Sequence, residues 1–208
     1  MSKNYFITGG AGFIGSNYVS RLLERREKVT IYDNLSRAGA AHNLSWLQEK
    51  FGEAAFRLTV GDVRDAALLA VSSRTADVII HLAAQVAVTT SVVKPREDFE
   101  INAQGTFNVL EAARLNEREP VILYASTNKV YGGMEDVKVV EDASRWRYSD
   151  LPLGCPETQP LDFHSPYGCA KGTGDQYVRD YARIYGLPSV VLRQSCIYGP
   201  RQFGVEDQ

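Results

Sequence analysis

Tyr167 and Lys171 lie four residues apart and are the pair in this chain best suited to moving a proton. A phenol with a pKa of about 10 is a poor base at neutral pH. A neighbouring ammonium stabilises the phenolate and draws that pKa toward the working range. Residues at i and i+4 share one helix face, so the pair works only if Tyr167-Gly168-Cys169-Ala170-Lys171 is helical. Upstream, Ala125-Ser126-Thr127 closes an apolar run, and a hydroxyl there can hydrogen-bond both the phenol and a substrate oxygen.

A second constellation lies near the N-terminus, where Thr8-Gly9-Gly10-Ala11-Gly12-Phe13-Ile14-Gly15 joins an apolar run to a helical pattern. Both G-x-G-x-x-G (Gly10, Gly12, Gly15) and G-x-x-G-x-x-G (Gly9, Gly12, Gly15) can be read there. Glycines permit the tight turn and let the backbone approach a pyrophosphate, which the amides and positive dipole end of the following helix can hold. Asp33 closes the next apolar run at the spacing of ~20 residues expected of a ribose-binding carboxylate. Such a group accepts hydrogen bonds from the ribose hydroxyls and repels a 2′-phosphate, which favours NAD over NADP. Arg37, close behind, could hold that phosphate; Asp33 weighs more because it ends a strand.

These groups need a frame. Apolar runs at 5–8, 29–33, 56–60, 78–82, 121–125 and 189–192 read as strands. Helical spacing over 13–27, near 41–50, over 99–115 and over 166–185 supplies the connections. Ser165-Pro166 opens the last helix with a cap residue before a proline at the first helical position. Buried runs alternating with helices predict an α/β fold with a doubly wound, Rossmann-like parallel sheet. Ligands in such sheets bind outside the carboxyl ends of the strands. Asp62-Val63 and Leu82-Ala83-Ala84-Gln85 should therefore face the adenine and nicotinamide sides. His81 reads as a packed strand-end residue rather than an acid or base. Trp46, Leu47 and Phe51 read as helix packing, and Cys169 as a small packing residue. Residues 132–165 have no strong period; the reading favoured is a flap over the substrate, with a solvated insertion as the alternative.

Composition narrows the class. The 208 residues suffice for one domain with a large core, and a net charge of −2 offers no basic field for nucleic acid or acidic membranes. No apolar run reaches the ~18 residues needed to span a bilayer. The N-terminus enters a strand at once, without a signal-peptide layout. Cys155, Cys169 and Cys196 are odd in number and far apart, as expected of reduced thiols in a cytoplasmic protein. His42, His81 and His164 are scattered, and no metal site is expected.

Taken together, the chain resembles the extended short-chain dehydrogenase/reductase family. The glycine motif, Asp33, Asp62, the segment 81–84, Asn102 with Gly105-Thr106, Val130-Tyr131-Gly132, Tyr167 with Lys171, and Tyr198-Gly199-Pro200-Arg201 carry the likeness. That resemblance implies NAD as cofactor, a nucleotide sugar as substrate, and a homo-oligomer paired through two long helices. It assigns catalysis to Thr127, Tyr167 and Lys171, because the family's hydroxyl stands three residues before the valine of V-Y-G. Around the glycine turn it implies cofactor contacts from Gly9, Gly12, Phe13, Ile14 and Gly15. Further contacts would come from Asp33, Asn34, Ser36, Arg37, Asp62 and Val63, and from Leu82 to Gln85 with Asn102, Ala125, Tyr167 and Lys171.

Within the family, three segments are similar to the CDP-tyvelose (CDP-paratose) 2-epimerases. They are Asp33-Asn34-Leu35-Ser36-Arg37 with Asn43-Leu44-Ser45-Trp46-Leu47, Ser126-Thr127-Asn128-Lys129-Val130-Tyr131-Gly132, and Leu161-Asp162-Phe163-His164-Ser165-Pro166-Tyr167-Gly168; Arg201-Gln202-Phe203 also fits. This implies epimerisation at carbon 2 by transient oxidation, with substrate contacts from Thr89, Asn128, His164, Cys196 and Arg201. Many relatives carry asparagine where Cys196 stands. Asn128 and Lys129 read equally well as turn residues. A 4-epimerase or 4,6-dehydratase is the runner-up; dehydration normally needs an acid–base pair where Asn128 and Lys129 stand. A non-catalytic NAD-binding module is the alternative of another class. Residues 1–200 read as the cofactor domain with the catalytic residues, and 201–208 as the start of a truncated substrate-binding region. The chain is thus expected to bind cofactor and turn over poorly.

Overall fold

The structure, a computed structural model, describes residues 2–204. Its strands are β1 (Asn4–Thr8), β2 (Lys28–Asp33), β3 (Arg57–Val60), β4 (Val78–His81), β5 (Val121–Thr127), β6 (Val139–Glu141), β7 (Trp146–Tyr148) and β8 (Ser189–Gln194). Six of them form one parallel sheet in the order β3-β2-β1-β4-β5-β8. Strand order reverses between β1 and β4, so a crevice opens above their carboxyl ends. The register aligns Thr8 with Tyr32 and His81, and Thr127 with Gln194, which brings the chemistry-bearing residues to one edge of the sheet.

The helices are α1 (Phe13–Glu24), α2 (Ala40–Phe51), α3 (Ala66–Ser73), α4 (Val88–Val93), α5 (Pro95–Phe99), α6 (Gly105–Arg114) and α7 (Ser165–Tyr185). Alternate strand residues feed two cores. Ile7, Ile31, Val78 and Ile80 pack with Val19, Leu22, Leu44 and Leu47 of α1 and α2. Phe6, Tyr32, Ile79, Ile122 and Tyr124 pack with Leu69, Val109, Leu110 and Val178 of α3, α6 and α7. A sheet buried on both faces explains why its strands read as nearly continuous apolar runs. Leu47 is fully buried, as expected of helix packing.

Several elements differ from the sequence reading. The single helix expected over 99–115 is α5 and α6 joined by a π turn, Glu100–Gln104. Helices α3 and α4 escaped notice, although Asp65 is a cap whose carboxylate accepts from the Leu68 amide at 3.0 Å. β5 runs on to Thr127, so Ser126 and Thr127 belong to the strand and point to opposite sides. Cys169 is exposed, not packed.

The segment 132–165 folds as a β6–β7 antiparallel ribbon with loops. It does not cover the main cleft: none of the described residues lining that cleft comes from it. Instead it lines a second cavity against α7 and β8, with Tyr148, Cys155 and Glu157 facing Arg179 and Arg193. The region expected to begin at 201 is described to 204, where Arg201 and Phe203 lie against α2; 205–208 fall outside the described residues. Among the described residues, no helix is long and apolar enough to cross a membrane, and no group of three His, Cys, Asp or Glu side chains could hold a metal ion.

Candidate active site

The crevice is a cleft of about 910 Å³, large enough for a dinucleotide with room beside it. Its floor is the glycine turn. Gly9 has φ +70, and a Cβ there would meet the Ala83 nitrogen at 2.7 Å. A Cβ on Gly15 would lie 2.2 Å from the Gly9 carbonyl oxygen. The turn therefore packs backbone on backbone, which only hydrogen side chains permit. Gly12 precedes α1 without any side-chain cap, so the first-turn amides face the cleft. This bare helix end, in a cradle that side chains would fill, fits a pyrophosphate.

Asp33 is buried at the end of β2. Its Oδ2 accepts from the Ala11 amide at 3.0 Å and its Oδ1 from the Leu35 amide at 2.9 Å. Burial raises its carboxyl pKa, and these two amides pull it down. It thus ties the glycine turn to the β2 loop as well as lining the cleft. Next to it, Ser36 Oγ donates to Asn34 Oδ1 at 2.7 Å, and Asn34 Nδ2 donates to Asp62 Oδ2 at 2.9 Å. Arg64 holds Asp62 from the other side, which keeps that carboxyl well below the usual range. Arg37 and Val63 also line this end.

At the β1–β4 switch point, His81 is fully enclosed. Thr106 Oγ1 donates to the Asn102 carbonyl at 2.6 Å, so it must accept from His81 Nε2 at 3.0 Å. His81 Nδ1 then accepts from Thr8 Oγ1 at 2.7 Å, and that oxygen accepts the Leu82 and Ala83 amides at 3.2 Å. Burial, aided by the charge on Lys171, pushes the imidazole down to about 3. His81 is a neutral spacer that sets the loop after β4, not an acid or base.

That loop is pinned from behind. Asn102 accepts the Gln85 amide at 3.0 Å and donates to the Gln85 carbonyl at 2.9 Å. The Gln85 side chain bonds both backbone groups of Ala87 and donates to Asp98 Oδ1 at 3.2 Å. Leu82, Ala83, Ala84 and Gln85 line the cleft, whereas Asn102 is buried behind them and acts through Gln85.

Helix α7 carries Tyr167 and Lys171. Ser165, expected as the cap, instead opens α7 after His164, and its Oγ accepts from the Gly168 amide at 3.2 Å within the first turn. Tyr167 is anchored by its amide, which donates to Ser91 Oγ at 3.2 Å. Burial raises its phenol, and a hydrogen bond with the Thr127 hydroxyl lowers it. Thr127 also accepts the Lys129 amide at 3.2 Å. Lys171 is enclosed: its ammonium donates to the Ala125 carbonyl at 2.6 Å and lies 4.4 Å from the Tyr124 ring. Burial pushes it down to about 7. Ser126 faces away and donates to Asp175 Oδ2 at 2.7 Å, and Asp175 is held at both oxygens by Arg193.

Thr89, Asn128, Cys196 and Arg201 all line the cleft. Arg201 sits at the α2 end of the cleft, its guanidinium 4.0 Å from the Trp46 ring and its carbonyl accepting from Asn43 Nδ2 at 3.2 Å. Phe203 stacks on His42 at 5.4 Å and fills the space beside Gly39. Residues 199–203 thus form a strap from α1, where Asn17 Nδ2 bonds the Pro200 carbonyl at 2.9 Å, across to α2. Trp46 therefore does more than pack its helix. His164 is not brought to the cleft: it pairs with Asp162 at 2.8 Å on the exposed approach to α7. Lys129, Gln202 and Phe203 line the cleft and were missed as site residues, as were Asp98 and Arg193 behind it. The segment likeness around Lys129 and Phe203 was the available signal. Asp98 and Arg193 left none, since a lone charge in a sequence gives no sign of burial.

The family described as GDP-mannose 4,6 dehydratase matches residues 6–206. The chain is 49% identical over 205 residues to a CDP-paratose 2-epimerase of Salmonella typhi, covering 97% of this chain and 60% of that one. A dTDP-glucose 4,6-dehydratase of Mycolicibacterium smegmatis is 34% identical over 199 residues, covering 94% and 54%. Among solved structures, a Thermus thermophilus UDP-glucose 4-epimerase in complex with NAD superposes with a TM-score of 0.75 at 33% identity, covering 96% and 57%. The chain spans less than two thirds of the length of each of these proteins.

Proposed function

The chain belongs to the GDP-mannose 4,6-dehydratase family, and from that premise we propose that it is the NAD-binding and catalytic part of a nucleotide-sugar epimerase. The observation that carries this is the sharing of one cleft by the bare glycine turn and by Thr127, Tyr167 and Lys171. The residues beside Thr127 are Asn128 and Lys129, with no carboxylate to drive dehydration. The relative at 49% identity supports CDP-paratose as substrate and carbon 2 as the reacting centre, giving CDP-tyvelose. Residues 1–200 serve as the cofactor domain. Self-association uses the exposed apolar side chains of α5, α6 and α7, including Phe99, Phe107, Tyr177 and Tyr185.

In this reading Tyr167 accepts the proton of the sugar hydroxyl, and Lys171 with Thr127 stabilises the phenolate. The glycine turn Gly9–Gly15 and Asp33 would hold NAD, which when bound would supply reversible hydride acceptance at the sugar carbon. The keto-sugar presents its other face before Tyr167 returns the proton. The full-length protein is assayed on CDP-paratose in deuterium oxide. CDP-tyvelose free of deuterium at carbon 2 is the expected product. Solvent deuterium at that carbon would mean direct deprotonation and would overturn the hydride route, and conversion of UDP-glucose alone would overturn the substrate.

Asp33 sets the cofactor preference. The parent should bind NAD more tightly than NADP, because the carboxylate accepts the ribose hydroxyls and repels a 2′-phosphate. Asp33→Asn keeps an oxygen for the Leu35 amide and removes the charge. The NAD-to-NADP affinity ratio is expected to fall about tenfold, as the loss of ~1.4 kcal/mol of repulsion would give. Titration calorimetry decides, and a parent that prefers NADP sinks the assignment.

A further inference from the structure

Two buried side-chain atoms among the described residues lack a hydrogen-bond partner, Asp98 Oδ2 and Asn43 Oδ1. Of these two residues, only Asn43 lines the main cleft. It is 2% exposed in the first turn of α2, and an amide oxygen enclosed this way costs stability unless a donor reaches it. The amide cannot turn over to find one. Its Nδ2 donates to the Arg201 carbonyl at 3.2 Å, and a carbonyl offers nothing to an oxygen. The unpaired oxygen therefore belongs to a side chain fixed in the wall of the cleft that Asp33, Ser36 and Arg37 also line.

Residues 199–203, the strap between α1 and α2, hold Asn43 in that orientation. Arg201 has φ +72, a left-handed backbone that an arginine keeps only where its surroundings hold it. They do so on both sides. Before it, Asn17 Nδ2 bonds the Pro200 carbonyl at 2.9 Å; after it, Phe203 seats on Gly39 and stacks on His42. The guanidinium rests on Trp46 at 4.0 Å, and Lys50, tied to Glu24 at 2.8 Å, lies 5.4 Å from the same ring. Arg201, Gln202 and Phe203 are exposed and belong to neither core, so the strap can lift without disturbing the sheet.

We propose that Asn43 is a further dinucleotide-binding residue and the catch of this strap. Its Nδ2 fixes 199–203 at the cleft, its Oδ1 accepts from the adenosine half of the dinucleotide, and the closed strap slows the dinucleotide's departure. That half carries suitable donors in its ribose hydroxyls and exocyclic amine. Both ends of the one amide are satisfied only when the ligand is in place and the strap is shut. The ligand thus makes a contact with the closed form that the open form lacks, which is what shifts the strap toward closure. The inference rests on the proposed function, which puts the adenosine ribose at Asp33.

The full-length protein is loaded with NADH, excess NAD is added, and the fall of NADH fluorescence gives the departure rate. Asn43→Ala is expected to raise that rate about tenfold, since it removes a hydrogen bond to the ligand together with the catch. Arg201→Ala removes the stack on Trp46 and is expected to raise it about threefold. The double variant should match Asn43→Ala within about twofold, because both changes open one strap. By calorimetry, ADP-ribose, which keeps the adenosine half and lacks the nicotinamide, should weaken in Asn43→Ala in the same proportion as NAD. A parental departure rate in folded Asn43→Ala or in Arg201→Ala overturns the proposal. So do multiplied effects in the double variant, or undiminished ADP-ribose affinity in Asn43→Ala. Arg201→Ala, exposed and outside both cores, keeps the test decisive if Asn43→Ala does not fold. A parent that binds neither NAD nor ADP-ribose overturns the cofactor reading and the strap with it, whereas parental rates in variants of a parent that binds NAD overturn the strap alone.

Discussion

Replacing Tyr167 by phenylalanine is expected to lower turnover by about 10²–10⁴-fold and to leave dinucleotide affinity unchanged. The ring is half-buried in the cleft wall, and phenylalanine keeps its volume while removing only the hydroxyl. What is lost is the proton acceptor and its hydrogen bond with Thr127. Ser126 cannot substitute, because its hydroxyl is committed to Asp175. His81 cannot either, because it is enclosed and neutral. The loss corresponds to roughly 3–5 kcal/mol of transition-state stabilisation. Steady-state kinetics of the full-length variant, with calorimetric NAD binding beside them, provide the check. Near-parental turnover would remove Tyr167 from the acid–base role, and lost NAD binding would mark it as structural.

The second large effect is expected at Gly15. An alanine there puts a Cβ 2.2 Å from the Gly9 carbonyl oxygen and 2.7 Å from Gly10 Cα. Both neighbours are backbone, so no side chain can swing aside. Gly9 is itself locked, since its amide donates to the Tyr32 carbonyl at 2.8 Å and its Cα faces the Ala83 backbone. The turn must therefore shift against β2 and β4, at a cost on the order of 1–3 kcal/mol of stability. The first-turn amides of α1 move with it, and NAD affinity should fall about a hundredfold, equivalent to ~2.7 kcal/mol. Thermal melts and calorimetry read the two effects separately. Gly15→Ala that binds NAD within threefold of the parent would show that this turn does not hold the pyrophosphate.

How much was legible in advance varied with the distance over which each feature is encoded. The six strands, the glycine turn and the end of β2 at Asp33 could be read because each is a local pattern of a few residues. The same holds for Tyr167 and Lys171, whose helical spacing puts them on one face. The helix expected over 99–115 is interrupted by the π turn at Glu100–Gln104, which ends at Gly105; one glycine inside a helical pattern does not by itself mark a change of helix type. The segment 132–165 has no periodicity, so its docking on α7 and β8 rather than over the cleft could not be read from it.

Residue identity and short-range spacing were thus enough for the fold class, the glycine turn and the placing of Tyr167 and Lys171 on one helix, since backbone sterics and helix geometry act within one turn or one strand. Spacing alone left Ser126 and Thr127 open, and the resemblance chose Thr127; the packed sheet gives the reason, because one step along a strand reverses the face and turns Ser126 to Asp175. Identity and spacing could not keep His164 out of the cleft or put Phe203 over Gly39. Those placements depend on which elements pack together. Burial, and with it the charge state of a lysine or histidine, belongs to the assembled core rather than to any stretch of the chain.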